Sequence, residues 1–152
     1  MPSEARPTIF LSYSGDESLE ADLLKYAIEH ELQDVRARVW TYERDQCRDE
    51  GNVARSLKDA VKRSCAVLFL ITPSTLETGS TQWMELGYAD AFEVPTFVLL
   101  HRLSYADLKA KDRVPPLVLA KQCTQAKEWR TLLDDLRKHR APGAGGARGD
   151  CP

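Results

Sequence analysis

Cys65–Thr72 (Cys-Ala-Val-Leu-Phe-Leu-Ile-Thr) is the stretch that most restricts how this chain can fold. It is apolar without alternation between odd and even positions. A strand with one face in water alternates, so an unbroken run of this length reads as a central strand covered by helices on both faces. Strands of that kind belong to parallel sheets with helical crossovers, and the run predicts an α/β chain.

The rest of the chain fits that expectation. Thr8–Tyr13 (Thr-Ile-Phe-Leu-Ser-Tyr) is a short apolar run bounded by Ser14-Gly15-Asp16, and reads as a first strand ending in a small-residue loop. From Asp16 to Leu32 the apolar positions Leu19, Leu23, Tyr26 or Ala27, and Leu32 recur near helical spacing, which predicts an amphipathic helix on that face. Arg38–Tyr42 is β-branched and aromatic and gives a second strand. The densely charged loop Glu43–Gly51 follows, and a helix with Val53, Leu57, Ala60 and Val61 on one face leads into Cys65–Thr72. Pro73-Ser74 breaks that run. Ser80–Phe92 reads as a helix, Pro95–His101 as the fourth strand, and Tyr105–Lys111 as a short helix stopped by Pro115-Pro116. Leu117–Ala120 is expected as an edge strand, and Glu128–His139 as a last helix on Trp129, Leu132, Leu133 and Leu136.

Five strands alternating with helices imply right-handed crossovers. The expected architecture is flavodoxin-like α/β: a five-stranded parallel sheet in the order 2-1-3-4-5 with helices on both faces. That order puts a switch point between strands one and three, where open α/β sheets hold their ligands. The loop after Tyr13 and the segment leading from Thr72 to Glu85 would face each other there, which makes Glu85 the residue to test first.

Composition bounds the rest. The 152 residues suit one domain, expected over residues 7–140, with a Gly/Ala/Pro-rich tail at 141–152 that is expected to be disordered. A formal net charge of −2 argues against broad nucleic-acid binding, which needs a basic surface to displace counterions from phosphate. The longest apolar runs fall far short of the ~20 residues needed to cross a bilayer, so no membrane association is expected. The N-terminus lacks the basic flank and apolar segment of a signal peptide, and a cytoplasmic location is the expectation. Cys47, Cys65, Cys123 and Cys151 form no Cys-x-x-Cys pair, so neither a metal site nor a disulfide framework is suggested and reduced thiols are expected. His30 and His139 are expected at the surface, and His101 at a strand end.

Ile9-Phe10-Leu11-Ser12-Tyr13-Ser14-Gly15-Asp16-Glu17 resembles the first strand and loop of Toll/interleukin-1 receptor (TIR) domains. Val39-Trp40 with the charged loop to Gly51 resembles their second strand and BB loop, and Val67–Ser74 their third strand. Glu85-Leu86-Gly87-Tyr88-Ala89 resembles the segment that carries the catalytic glutamate in NAD-cleaving TIR domains. The resemblance spans Pro7 to His139 and points to the standalone bacterial type of anti-phage, Thoeris-like defence.

One position departs from the pattern. Such enzymes have Trp four residues before the glutamate, where this chain has Thr81, and Trp83 lies two before it. Residues two apart on a regular helix point about 200° apart. Either the helix begins after Trp83, freeing the indole to turn into the site, or Trp83 packs in the core.

The resemblance implies cleavage of the bond between nicotinamide and ribose, with NAD as substrate and neither cofactor nor metal required. Glu85 would be catalytic. Tyr13, Trp40 and Trp83 would be candidates to stack on the nicotinamide, Arg44 or Arg48 to reach the pyrophosphate, Ser14 and Gly15 to bring backbone donors near it, and Ser80 to line the site. The resemblance also implies self-association through the Glu43–Gly51 loop and a downstream effector partner. Two other readings compete: a non-catalytic TIR assembly module, and a nucleoside 2-deoxyribosyltransferase-like enzyme, whose related fold carries a similar Glu-x-Gly-Tyr-Ala run with a nucleophilic glutamate.

Overall fold

Every residue of β3 (Ala66–Ile71) is buried, as an apolar run without alternation requires. The computed structural model describes residues 6–41, 53–78, 80–111 and 114–139. The 43–51 loop, Arg44 and Arg48 with it, and the 141–152 tail lie outside the described residues. Around β3 stand β1 (Thr8–Ser12), β2 (Arg38–Thr41), β4 (Thr96–Leu100) and β5 (Gln122–Gln125), all parallel, in the order β2-β1-β3-β4-β5. This is the expected doubly wound order.

Two separate cores follow from the two faces. On one, Phe10, Val67, Phe69, Ile71, Val98 and Leu100 are covered by α2 (Val53–Arg63), α4 (Ser80–Ala91), α5 (Tyr105–Lys109) and α6 (Pro116–Leu119). On the other, Ile9, Leu11, Leu68, Leu70 and Leu99 are covered by α1 (Ser18–Glu31) and α7 (Leu132–Lys138). Alternate residues of β1 thus feed opposite cores, and this parity decides which side chains can meet at the strand ends.

Several local expectations are corrected. Pro73 does not merely end β3; it is the first residue of a short helix, α3 (Pro73–Thr78), where a proline's missing N–H costs nothing. Thr72 and Thr75 tie that turn, the Thr72 N–H donating to Thr75 Oγ1 at 3.1 Å. The same proline logic turns the expected edge strand at 117–120 into α6, with Pro116 in its first turn and Val118 buried. The edge strand is instead the polar, half-exposed Gln-Cys-Thr-Gln of β5. The last helix, expected over Glu128–His139, is a 3-10 stretch over Ala126–Thr131 followed by α7, which begins only at Leu132.

The buried face of α1 also differs. Leu19, Leu23 and Tyr26 are 68%, 62% and 55% exposed, while Ala21, Lys25 and Ile28 are buried. Lys25 is inside because it has work at the sheet edge: its Nζ donates to the Val39 carbonyl, and Glu29 Oε1 accepts the Val39 N–H at 2.9 Å. Together they satisfy the outward backbone of edge strand β2. Cys65 is disulfide-bonded, against the expectation of reduced thiols; spacing in sequence cannot tell which cysteines a fold brings together. Cys123 is the free cysteine among the described residues. His30 is exposed, whereas His139 is half-buried with its ring tilted on Phe97 at 5.8 Å. No described helix is long and apolar enough to cross a membrane.

Candidate active site

β1 ends at Ser12, opposite Phe69, while β3 runs on to Ile71. The strand that stops short opens a gap at the switch point, and α4 lies over it on the face that Phe10 and Ser12 share. Glu85 projects from the middle of α4 into this gap and is 5% exposed. Ser12 Oγ donates a hydrogen bond to Glu85 Oε2. Among the described residues no Lys, Arg or His pairs with Glu85. Burial therefore decides its ionisation: desolvation raises the carboxyl from 4.5 to about 7, and the Ser12 hydrogen bond offsets only part of that. An acid buried with no described cation at a strand-end crevice is a candidate functional group.

The loops on either side of the gap are latched. Ser14 Oγ lies 2.9 Å from Ser74 Oγ, and Ser74 Oγ donates to Asp16 Oδ2 at 2.9 Å. With its proton committed to Asp16, Ser74 accepts from Ser14, so the chain runs Ser14 to Ser74 to Asp16. It holds the segment after β1 against the start of α3. Gly15 opens a 3-10 turn, and a Cβ built there would meet nothing within 4 Å, so the fold itself does not demand glycine.

The three aromatic candidates separate. Trp40 stacks on Phe10, with ring centroids 4.8 Å apart at 19°, and is half-buried on the face that holds Ser12 and Glu85. Tyr13 follows Ser12 by one residue and packs with the opposite core, beside α1 and α7. Trp83 lies within α4, which begins at Ser80, so the helix does not start after it. Its indole packs on the core and lines a 710 Å³ cavity with Leu76, Arg102 and Leu103; Glu85 is not among the described residues of that cavity. Of the two alternatives open for Trp83, a helix that begins after it is excluded, and the half-buried indole packs against the core.

Two neighbours of Glu85 escape sequence reading. Ser12 sits in a strand, where a hydroxyl gives no signal, and only the parity of β1 aims it at α4. Gln82, one helical turn before Glu85, is 2% exposed, with its Nε2 donating to the Leu70 carbonyl at 3.1 Å. The spacing of Gln82 and Glu85 was its available signal, since residues three apart share a helix face. Among the described residues, no group of three His, Cys, Asp or Glu side chains is placed to hold a metal ion.

No family model matches the chain, and no curated protein matches it by sequence. By structure it is similar to a 2-desoxiribosyltransferase from Leishmania mexicana, at 12% identity over 84% of this chain and 97% of that one, with a TM-score of 0.61. It is similar to a conserved protein from Enterococcus faecalis at 15% identity, over 88% and 99% of the two chains, with a TM-score of 0.60. It is also similar to the TIR domains of the activated Roq1 resistosome, which directly recognises the pathogen effector XopQ, at 13% identity over 93% and 85%, with a TM-score of 0.56. At these identities the likeness establishes the fold: a five-stranded parallel α/β sheet of the kind found in both a deoxyribosyltransferase and TIR domains.

Proposed function

We propose that this protein is a TIR-type enzyme that cleaves the N-glycosidic bond of NAD, releasing nicotinamide and an ADP-ribose-derived product, with Glu85 as the catalytic carboxylate. The observation that carries the reading is the placement of Glu85: buried, unpaired by any described cation, hydrogen-bonded to Ser12, and set where β1 stops short of β3. Nicotinamide leaves with the electron pair of the C1′–N bond and becomes neutral, so departure needs no proton donor. What the reaction needs is a negative group beside the positive charge that develops on the ribose. Ionised Glu85 supplies it, and in a dry crevice its charge acts with little screening. A water then adds its oxygen to C1′ and gives up a proton, for which the same carboxylate is an acceptor. Trp40 offers a half-buried ring on the same face for a planar base.

The test is nicotinamide release from NAD by the purified protein against Glu85→Gln. Equal inertness of both, under every condition of assembly tried, removes the reading. Self-association through the 43–51 loop and delivery of the product to an effector in bacterial defence form part of this proposal and are tested by charge reversal at Arg44.

One observation favours a second reading. The similar structures include a deoxyribosyltransferase that this chain covers over 97% of its length, and a buried glutamate can equally attack C1′ as a nucleophile, forming a glycosyl ester as the base departs with the bond pair. Transfer of a deoxyribosyl group between free nucleobases, without action on NAD, would identify that chemistry.

A further inference from the structure

Gln82 has a buried acceptor that no described residue uses. Its Oε1 accepts no hydrogen bond from any described residue, although the side chain is almost wholly enclosed. The orientation of the amide is fixed by its other end. Leu70 presents only a carbonyl oxygen, so the NH2 must face it and the oxygen must face away. The sheet explains why that carbonyl is available. The Ile71 carbonyl accepts the His101 N–H at 2.9 Å on the β4 side, so the Leu70 carbonyl, one residue earlier, points to the β1 side. There β1 has already ended at Ser12. Gln82 therefore reaches into the same β1–β3 gap in which Ser12 holds Glu85, and it leaves α4 on the same face, one turn away.

A buried acceptor without a donor destabilises a protein, and natural folds rarely keep one. Capping the Leu70 carbonyl requires the NH2 alone. The surplus oxygen belongs to the residue one turn from Glu85 on the same helix face, and the donors attached to the ring that carries C1′ are the sugar hydroxyls. A neutral acceptor suits this place, since a second carboxylate would compete with Glu85 for ionisation.

We propose that Gln82 is a specificity-determining residue of the Glu85 site, its Oε1 accepting a hydrogen bond from the 2′- or 3′-hydroxyl of an N-ribosyl substrate. The inference rests on the reading of Glu85 as the group that acts on an N-ribosyl bond. The experiment compares kcat/KM for NAD with that for its 2′-deoxy and 3′-deoxy analogues, in wild type and in Gln82→Met, which keeps the length and loses both hydrogen-bonding ends. Each comparison is a ratio within one preparation, so partial loss of folded protein cancels. Gln82→Asn, which keeps an amide but withdraws the oxygen from its place, serves if the Met variant does not fold.

Wild type should reject one of the two analogues by about 10- to 100-fold or more, and the variant should reduce that preference to within about threefold. An unchanged preference in the variant overturns the inference. If Glu85→Gln is dead while Gln82→Met discriminates like wild type, the Glu85 reading stands and only the role of Gln82 falls. If wild type acts on no ribosyl or deoxyribosyl substrate, both fall.

Discussion

Glu17 and Glu85 are each 5% exposed and both meet residues at the C-terminal ends of the strands, yet they are held in opposite ways. Glu17, in the 3-10 turn after β1, receives Arg102 Nη2 on both carboxylate oxygens, at 2.8 and 2.9 Å. Arg102 adopts a left-handed backbone, φ 58°, just after β4, a conformation a non-glycine residue holds only when its surroundings require it. The ion pair is a bridge between two strand-end loops. Glu85 receives a serine hydroxyl and, among the described residues, no cation. Burial with a partner makes a strut; burial without one makes an acid whose proton is in play near neutral pH.

The sharpest way to break this comparison is to neutralise each acid in turn. Glu85→Gln should lower NAD cleavage by about a thousandfold, roughly 4 kcal/mol of transition-state stabilisation. Glu17→Gln should leave kcat within a few-fold of wild type. Equal losses of kcat in folded preparations of both would erase the distinction.

The stability of Glu85→Gln relative to wild type should change with pH. The native Glu85 carboxyl titrates at about 7, above its unfolded 4.5, so the folded state holds a proton that the unfolded chain releases. That contribution is complete below pH 4.5 and is lost as pH rises through 7. Denaturant titrations should find Glu85→Gln equal to wild type near pH 4 and more stable by about 3 kcal/mol above pH 8. The acid limb of kcat/KM should fall near pH 7 for the same reason, because the protonated carboxyl cannot stabilise a cation.

Arg102→Met should cost about 2 kcal/mol in thermal or chemical unfolding by stranding a buried carboxylate, less than for a wholly enclosed pair because the guanidinium is 58% exposed. A cost near zero would mean that Glu17 finds water instead. The smallest effect is expected from Ser12→Ala, about 1 kcal/mol of stability. It should also move the acid limb upward in pH, since the Ser12 hydrogen bond lowers the Glu85 pKa.

Much of the frame was legible in the residues. The unalternating Cys65–Thr72 run announced a central strand, and the five strand-like segments in order implied the observed sheet. Glu85 was legible because it follows the third strand at helical distance within a Glu-Leu-Gly-Tyr-Ala run. The face of α1 was not. Leu19, Leu23 and Tyr26 make as good an apolar stripe as the one that is buried, and only the edge of β2, with its free Val39 backbone, selects the side carrying Lys25. Trp83 was open in the same way. Its position was known, but whether it met the acid depended on where α4 begins, and α4 begins at Ser80.

The residues in order were enough for the class of fold, because apolar periodicity and turn residues act over a few positions and can be read locally; Glu85 was singled out by the expected switch point and by a resemblance, and the structure shows it buried there. Tertiary structure decided everything that depends on parity and register. Ser12 rather than Tyr13 meets Glu85 because β1 delivers alternate residues to opposite cores. Gln82 has a carbonyl to cap because β1 stops one residue short of Leu70. Glu17 is a strut and Glu85 a buried acid because, among the described residues, the fold brings an arginine to the first and none to the second. Those are distances between segments far apart in the chain, and no local pattern records them.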